Sequence, residues 1–251
     1  MNYEPKVTIV FPAYNEEKQI AQILKRTSQN LSQAGYHSLN IIVVDDGSTD
    51  NTASVVSQMQ QEIPITLLKH PSNQGLGAAL QTGINFAVKN SQDKDIILTS
   101  ESDGSQRSSK LIKLIQSIQD GADFAAASPL GKNGFKGVPF YRRFLSQGAN
   151  LLYRLLFPIP GLYDYTNLNR GFRAELLKKG IENYGEKGFI DRKGFEAVPD
   201  ILLKLRQFHP KVSEIDIQID ISDKEDDSSM DVIKTIWNSL DLCASHLFKK
   251  N

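Results

Sequence analysis

Along the first half of the chain, short apolar runs alternate with stretches whose apolar residues recur every three or four positions. The runs predict strands at Val7–Phe11, Asn40–Val44, Ile65–Lys69, Ile96–Ser100 and Asp123–Ala127. Between them the helical period predicts helices over Lys18–Gln33, Asn51–Gln61, Gly75–Lys89 and Ser108–Gln119. Ile20, Ile23, Leu24 and Leu31 give the first helix one apolar stripe. Ile41 to Val44 are all β-branched, as suits a buried strand. Regular strand–helix alternation predicts an α/β fold, a mostly parallel sheet with helices on both faces.

After Ser128 the pattern changes. Glycines at 131, 134 and 137 mark a loop, and a helix is predicted over Phe140–Phe157, stopping at Pro158-Ile159-Pro160. Its apolar residues include Phe144, Leu145, Leu151, Leu152, Leu155 and Leu156, with Arg142, Arg143 and Arg154 interleaved. That composition fits a helix packed on the sheet or one lying at a membrane interface. Further elements are predicted as a helix at Glu196–Gln207, a strand at Val212–Ile219 and a helix at Asp231–Phe248. The lone Trp237, on that last helix, is expected to be packed. The chain thus divides into residues 1–128 and 129–251, two halves of one continuous domain.

Composition narrows the function classes. Of 251 residues, 40% are hydrophobic and 23% charged, as in ordinary globular proteins. Lys and Arg total 29 and Asp and Glu total 29, so the broad basic footprint of a nucleic-acid binder is absent. A single cysteine, Cys243, rules out an internal disulfide and a multi-cysteine metal site. The four histidines have no metal-ligand spacing. Met1 to Lys6 are polar and lead directly into a strand, so no signal peptide is expected. No apolar run approaches the roughly 20 residues of a membrane helix, and a cytoplasmic location is the expectation.

The candidate chemistry lies where the predicted strands end. The first is followed by Pro12-Ala13-Tyr14-Asn15-Glu16-Glu17, the second by Asp45-Asp46-Gly47-Ser48-Thr49-Asp50, and the fourth by Glu101-Ser102-Asp103-Gly104. In a parallel sheet these acidic ends share one edge, where ligands of open α/β sheets bind. Carboxylates there suit nucleoside hydroxyls and ring N–H groups, or a metal. Asp45 and Asp46 also fit a simple turn, with Ser48 or Asp50 capping the next helix. Gly75 and Gly77 open a helix, either presenting N–H groups to an anion or easing close packing.

These residues resemble glycosyltransferase family 2, and within it the dolichyl- or polyprenyl-phosphate sugar synthases. The shared landmarks are the three segments above together with Asn73-Gln74-Gly75-Leu76-Gly77-Ala78-Ala79, Tyr141-Arg142-Arg143, Ser146-Gln147-Gly148-Ala149-Asn150, and Asp164-Tyr165-Thr166 followed by Gly171-Phe172-Arg173-Ala174. The resemblance implies a Rossmann-like GT-A fold and transfer of a sugar, with inversion, from a GDP- or UDP-sugar. It implies that Pro12, Tyr14 and Glu16 hold the ribose and base, that Asp45 accepts from the base, and that Asp46 orients the loop. Glu101, Ser102 and Asp103 fall at the family's Asp-x-Asp signature, with Glu101 and Asp103 implied as ligands of Mg²⁺ or Mn²⁺. Arg142, Arg143, Ser146, Arg173 and Lys224 are implied as contacts of a polyprenyl-phosphate acceptor, with peripheral contact at the cytoplasmic membrane face. Asp103, Asp164 and Arg173 are the implied catalytic residues, with Asp164 the base if the acceptor is a hydroxyl and Asp191 and Glu196 behind it.

Four features depart from the family pattern. Glu101 replaces an aspartate, and Gln106-Arg107-Ser108 stands where relatives often have a histidine or glutamine and a proline. Asn167-Leu168-Asn169-Arg170 is a longer insert than usual before Gly171. Ser229 follows Ser228 where a lysine is expected, in a segment that also carries Glu225, Asp226 and Asp227. These departures leave open a non-lipid acceptor, or a nucleotide-sugar-binding relative with weakened catalysis.

Overall fold

The computed structural model describes residues 4–101, 109–131, 134–220 and 232–248. In chain order the elements are β1 (Val7–Ala13), α1 (Ile20–Gln33), β2 (Leu39–Asp45), α2 (Thr52–Met59), β3 (Ile65–Lys69), α3 (Leu76–Lys89), β4 (Ile96–Thr99), α4 (Ser109–Gln119) and β5 (Phe124–Ser128). There follow β6 (Phe135–Lys136), α5 (Phe140–Leu156), β7 (Arg170–Arg173), α6 (Ala174–Tyr184), α7 (Ala197–Leu205), β8 (Val212–Asp216), β9 (Ile219–Asp220) and α8 (Val232–Phe248). The main sheet has the order β3-β2-β1-β4-β7-β5-β8. All its neighbours pair parallel except β7, which runs antiparallel between β4 and β5. This mixed, mostly parallel sheet is the GT-A architecture.

Side chains alternate across each strand and so build two cores. Ile9, Phe11, Ile41 and Val43 face α1, α2 and α4, whereas Val10, Ile42 and Val44 face α3 and the C-terminal helices. Ile20, Leu24, Thr27 and Leu31 form the buried stripe of α1. Gly83 of α3 sits against β1 and β2 so closely that a Cβ there would strike Val10.

The predicted elements of the first half are all present, with ends shifted by a residue or two. Later the differences are larger. β7 and α6 are additional elements: β7 has four residues, two of them arginine, and its Gly171 packs under Leu98 and Ile118, whereas α6 has an apolar stripe of Ala174, Leu177 and Ile181 at helical spacing. The strand predicted at Val212–Ile219 stops at Asp216, and Ile219 instead belongs to a two-stranded sheet with β6. Trp237, expected to be packed, is 68% exposed. Among the described residues no helix is long and apolar enough to cross a membrane.

Candidate active site

β1, β2 and β4 are parallel neighbours, so the chain leaves Ala13, Asp45 and Thr99 at one edge of the sheet. β5 ends there too, and leads through β6 into α5. The first two loops are stitched together reciprocally. Asp46 N–H donates to the Ala13 carbonyl (2.8 Å), and Asn15, in the left-handed region at φ 57°, donates its N–H to Ser48 Oγ (3.0 Å). Asn15 Oδ1 accepts from Thr49 N–H (2.9 Å), and Glu16 N–H donates to Thr52 Oγ1 (2.8 Å). Asparagine is among the residues that tolerate this backbone region, a signal that could have singled Asn15 out.

Asp50 takes the capping part from outside the formal cap position. Its Oδ1 accepts from Thr52 N–H (2.9 Å) and its Oδ2 from Glu17 N–H (3.1 Å). Burial alone would raise its carboxyl, but the hydrogen bonds from Thr52 and Glu17 outweigh it and hold the group below its ordinary value. Ser48, the other expected cap, is used across the loops instead.

Asp45 and Asp46 are both buried, at 4% exposure, and they do different things. Asp45 Oδ1 accepts from Ser48 N–H (3.1 Å), and Oδ2 has no hydrogen-bond partner among the described residues. Asp46 is committed on both oxygens: Oδ1 accepts from Gln74 N–H (3.0 Å) and meets His70 Nδ1 (2.6 Å), and Oδ2 accepts from Gly75 N–H (2.8 Å). His70 Nε2 lies 2.9 Å from Thr82 Oγ1. The network assigns the proton to Nδ1, so that Nε2 accepts from the threonine hydroxyl. Asp46 therefore orients the loop before α3, and Asp45 keeps one oxygen without a hydrogen-bond partner among the described residues. No spacing rule marks His70 or Thr82 for this part.

The glycines before α3 serve packing. Gly77 N–H donates to the Lys193 carbonyl (2.8 Å), and a Cβ at Gly75 or Gly77 would overlap the Lys193 or Arg192 carbonyl. The helix start is thus covered by residues 192–193, which takes the Gly77 donor away from any anion.

Along the same edge, Pro12 is a buried residue of β1 opposite Val44, whereas Tyr14 is 42% exposed and Glu16 and Glu101 are half-buried. The residues inserted before Gly171 close on the end of β4. Thr99 Oγ1 donates to the Leu168 carbonyl (2.6 Å), Ser100 Oγ to Asn169 Oδ1 (2.9 Å), and Ala127 N–H to the Asn169 carbonyl (3.0 Å). Asn169 Nδ2 in turn donates to Asn167 Oδ1 (2.9 Å). Arg170 follows, fully buried, donating to the Val198 carbonyl (2.6 Å) and to that of Tyr165. Burial pulls its guanidinium down to about 9, against the opposing pull of Asp164 and Glu214, so it stays charged at neutral pH.

Arg173 is corrected by its surroundings, and Asp164 is engaged in its own loop. Arg173 pairs with Ile96 at the start of β4, on the edge opposite the strand ends. There its Nη2 donates to the carbonyls of Ile118 (2.8 Å) and Ala122 (2.9 Å), away from the edge where the parallel strands end. Asp164 is 1% exposed, and its Oδ1 accepts from Thr166 N–H (2.8 Å), Thr166 Oγ1 (3.1 Å) and Asn167 N–H (3.0 Å). Through Oδ1 it organises the loop that leads towards β7. The reserve acids are engaged as well: Asp191 with Lys204 (2.8 Å), and Glu196 with Gly194 N–H (3.1 Å) and Asn238 (3.0 Å).

Of the acceptor candidates, Arg143 donates its Nε–H to the Val138 carbonyl (2.8 Å) and lies over the Phe135 ring, and Ser146 is half-buried one turn further along α5. Arg142 belongs to the same helix. Ser102, Asp103 and Lys224 lie outside the described residues, as do Gln106, Arg107 and Ser229. Among the described residues no three His, Cys, Asp or Glu side chains converge as a metal cage.

A mostly parallel sheet of this order, with the acidic ends of three parallel strands on one edge, places the protein in the GT-A class of glycosyltransferase folds. Residues 8–181 match the family model of Glycosyl transferase family 2, and the chain belongs to that family. It is similar to a dolichol-phosphate mannosyltransferase of Pyrococcus furiosus, at 28% identity over 211 residues, covering 84% of this chain and 55% of that protein. A polyprenol monophosphomannose synthase of Mycolicibacterium smegmatis is 27% identical over 223 residues, covering 88% of this chain and 78% of that one. In fold it resembles glucosyl-3-phosphoglycerate synthase of Mycobacterium tuberculosis, crystallised with Mn²⁺, UDP and phosphoglyceric acid, at a TM-score of 0.67 and 14% identity over 98% of this chain and 80% of that one.

Proposed function

We propose that this glycosyltransferase moves a hexose from a GDP- or UDP-sugar, with inversion, onto the phosphate of a polyprenyl carrier, working at the cytoplasmic face of the membrane. The observation that carries the donor half is the convergence of Tyr14, Glu16, Asp45 and Glu101 on one sheet edge. The lipid-phosphate acceptor is supported by the names of the relatives above and by Arg142, Arg143 and Ser146 on a helix reached from that same edge.

Tyr14 offers a flat apolar face to a base, and Asp45 offers the carboxylate oxygen that a ring N–H or ribose hydroxyl needs. Asp46, His70 and Asn15 fix the loops that carry them. Glu101 and Asp103 form an oxygen-only donor set, which suits Mg²⁺ or Mn²⁺ and not zinc. Such an ion, when bound, neutralises the charge that develops on the diphosphate. The acceptor phosphate is already an anion, so its oxygen attacks the sugar C1 without a strong base. The C1–O bond to the nucleoside diphosphate breaks with its electron pair leaving on the diphosphate. The buried state of Asp164 fits a reaction that requires no carboxylate base. Arg142, Arg143 and Lys224 would hold the acceptor anion, the arginines through their planar forks of donors.

The test is transfer of radiolabelled sugar from a panel of GDP- and UDP-sugars to a polyprenyl phosphate in detergent, with Mg²⁺ or Mn²⁺. Lipid-linked product is expected from one donor, with Asp103→Ala lowering the rate on the order of 10²-fold, as removal of a transition-state charge contact does. Transfer only to water-soluble acceptors would discard the lipid-phosphate reading. Binding of the donor with no turnover on any acceptor would make the chain a binding relative.

A further inference from the structure

We propose that Arg170 is a positioning residue for the transfer, a buried clamp that holds shut the loop on which the end of β4 rests. The inference deepens the function proposed above and rests on it, because Glu101 and Asp103, the acids assigned to the diphosphate's ion, follow that strand end in sequence. The Arg170 guanidinium lies in the core, 5.9 Å from the centre of the Phe124 ring, and no carboxylate pairs with it among the described residues. Nη1 donates to the Val198 carbonyl of α7 (2.6 Å) and Nη2 to the Tyr165 carbonyl, while Nε has no partner among the described residues. A buried cation without a contacting carboxylate carries a desolvation cost that a methionine of similar length avoids. Packing alone therefore gives no reason for an arginine here. What an apolar side chain cannot do is join β7, α7 and the 165–169 loop through one planar fork of donors.

The loop passes that constraint to the sheet. Tyr165 opens it and is itself anchored, its N–H donating to Asn150 Oδ1 (2.7 Å) and its hydroxyl to the Phe157 carbonyl (2.9 Å). The bond from Arg170 to the Tyr165 carbonyl joins the two ends of the loop, five residues apart. Inside it, Asn167 Oδ1 accepts from the N–H (2.8 Å) and from Nδ2 (2.9 Å) of Asn169. That fixes the Asn169 amide with its oxygen toward Ser100, whose Oγ donates to it (2.9 Å). Thr99 Oγ1 donates to the Leu168 carbonyl (2.6 Å). Thr99, Ser100 and Asn169 are all buried, so a bond left unmade there leaves a polar atom without water in its place. The two hydroxyls belong to the last two residues before Glu101, and the clamp thereby sets where that acid stands.

The experiment compares the full chain with Arg170→Met, Arg170→Lys and the double variant Thr99→Val/Ser100→Ala. The double variant leaves the clamp in place and cuts only its bonds to β4, so the inference stays open to refutation should Arg170→Met fail to fold. Amide exchange of Ser100, whose N–H donates to the Val10 carbonyl (3.1 Å), is read without metal or nucleotide. It should quicken about tenfold in Arg170→Met and in the double variant, while exchange in β2 stays as in the native chain. In the transfer assay, the Mn²⁺ concentration for half-maximal rate should rise about tenfold, and kcat should fall roughly 10- to 100-fold, as a misplacement near 1 Å does. Arg170→Lys keeps the charge without the fork and should behave as Arg170→Met. Binding of GDP or UDP in EDTA, read by calorimetry, should stay within about threefold of native, because the ends of β1 and β2 do not share these contacts. Native exchange at Ser100 in Arg170→Met and the double variant, an unchanged Mn²⁺ dependence, or a fully active Arg170→Lys would each overturn the inference. So would exchange quickened throughout the sheet with nucleotide binding lost in step, the mark of a structural role only. A native chain that transfers nothing to polyprenyl phosphate would instead overturn the proposed function, and exchange at Ser100, which needs no substrate, would still decide the clamp.

Discussion

Asp46 shows how one buried side chain can hold the loop before α3 at the end of the sheet. Its two oxygens take the Gln74 and Gly75 N–H groups and His70, so substitution frees three donors in a buried setting. Asp46→Ala is expected to cost about 1–3 kcal/mol of stability, the penalty for buried groups left unpaired. Donor KM should rise more than kcat falls, because the loop and not the reacting atoms is disturbed. Denaturant unfolding and steady-state kinetics check the two parts. Asp50 makes a second prediction, in pH. Its folded carboxyl lies below the ordinary 3.8, so it adds stability above that value and loses it as pH falls through the folded one. Between about pH 5 and pH 2 the melting temperature of Asp50→Asn should fall less than that of the native chain, since linkage removes this contribution only where the carboxylate protonates.

At the scale of elements, the start of α3 is the tightest junction in the site. The Lys193 carbonyl lies against Gly75 and accepts from Gly77, so neither position has room for a side chain. Gly77→Ala should destabilise by roughly 1–3 kcal/mol, the range for overpacking, or more because backbone must move. A donor-affinity loss should accompany it, since Gln74 and Gly75 are fixed by Asp46 on the other side; calorimetry on the soluble fraction would show it. This junction also explains what the sequence makes legible. The run Ile41 to Val44 and the stripe of α1 follow periods set by a single element, and both were readable. The strand ends at Asp45 and Glu101 could be read too, because turn chemistry follows the strands directly. β7 could not: four residues with arginine at both ends show no alternation, and its antiparallel course depends on Phe124 and Leu98 from elsewhere in the chain. The reversal also moved Arg173 to the far edge while bringing Arg170 and Asn169 to the near one. Residues three apart along one strand thus ended up with opposite significance, and no local pattern could separate them.

The whole molecule is joined through residues 191–204. Asp200, 1% exposed, pairs with Lys204 (2.7 Å) on its own helix and with His246 (2.7 Å) on α8. Lys204 also reaches Asp191 (2.8 Å) and the Gly188 carbonyl (2.9 Å). Arg192 holds Asp241 and Ser245 of α8, and Glu196 holds Asn238. The ties of Asp200, Arg192 and Glu196 to α8 all end in the segment that also covers the start of α3. The helix with the exposed Trp237 is therefore mounted on the same piece of chain that packs against Gly75 and Gly77. A buried ion pair is costly to break on one side, because the remaining charge keeps its desolvation cost and loses its partner. Asp200→Ala should accordingly destabilise by about 3 kcal/mol or more, leaving Lys204 with only the more exposed Asp191. Asp200→Leu combined with Lys204→Met should recover much of that loss, since apolar replacement of a whole buried pair is often neutral. The double variant still lacks the His246 contact. If α8 is held mainly by charge, amide exchange in Leu242 and Cys243 should stay fast in the double variant even as global stability returns. If apolar packing of Leu242 and Cys243 holds it, exchange there should recover together with the melting temperature. The full burial of those two residues, against a half-buried histidine, favours the second outcome.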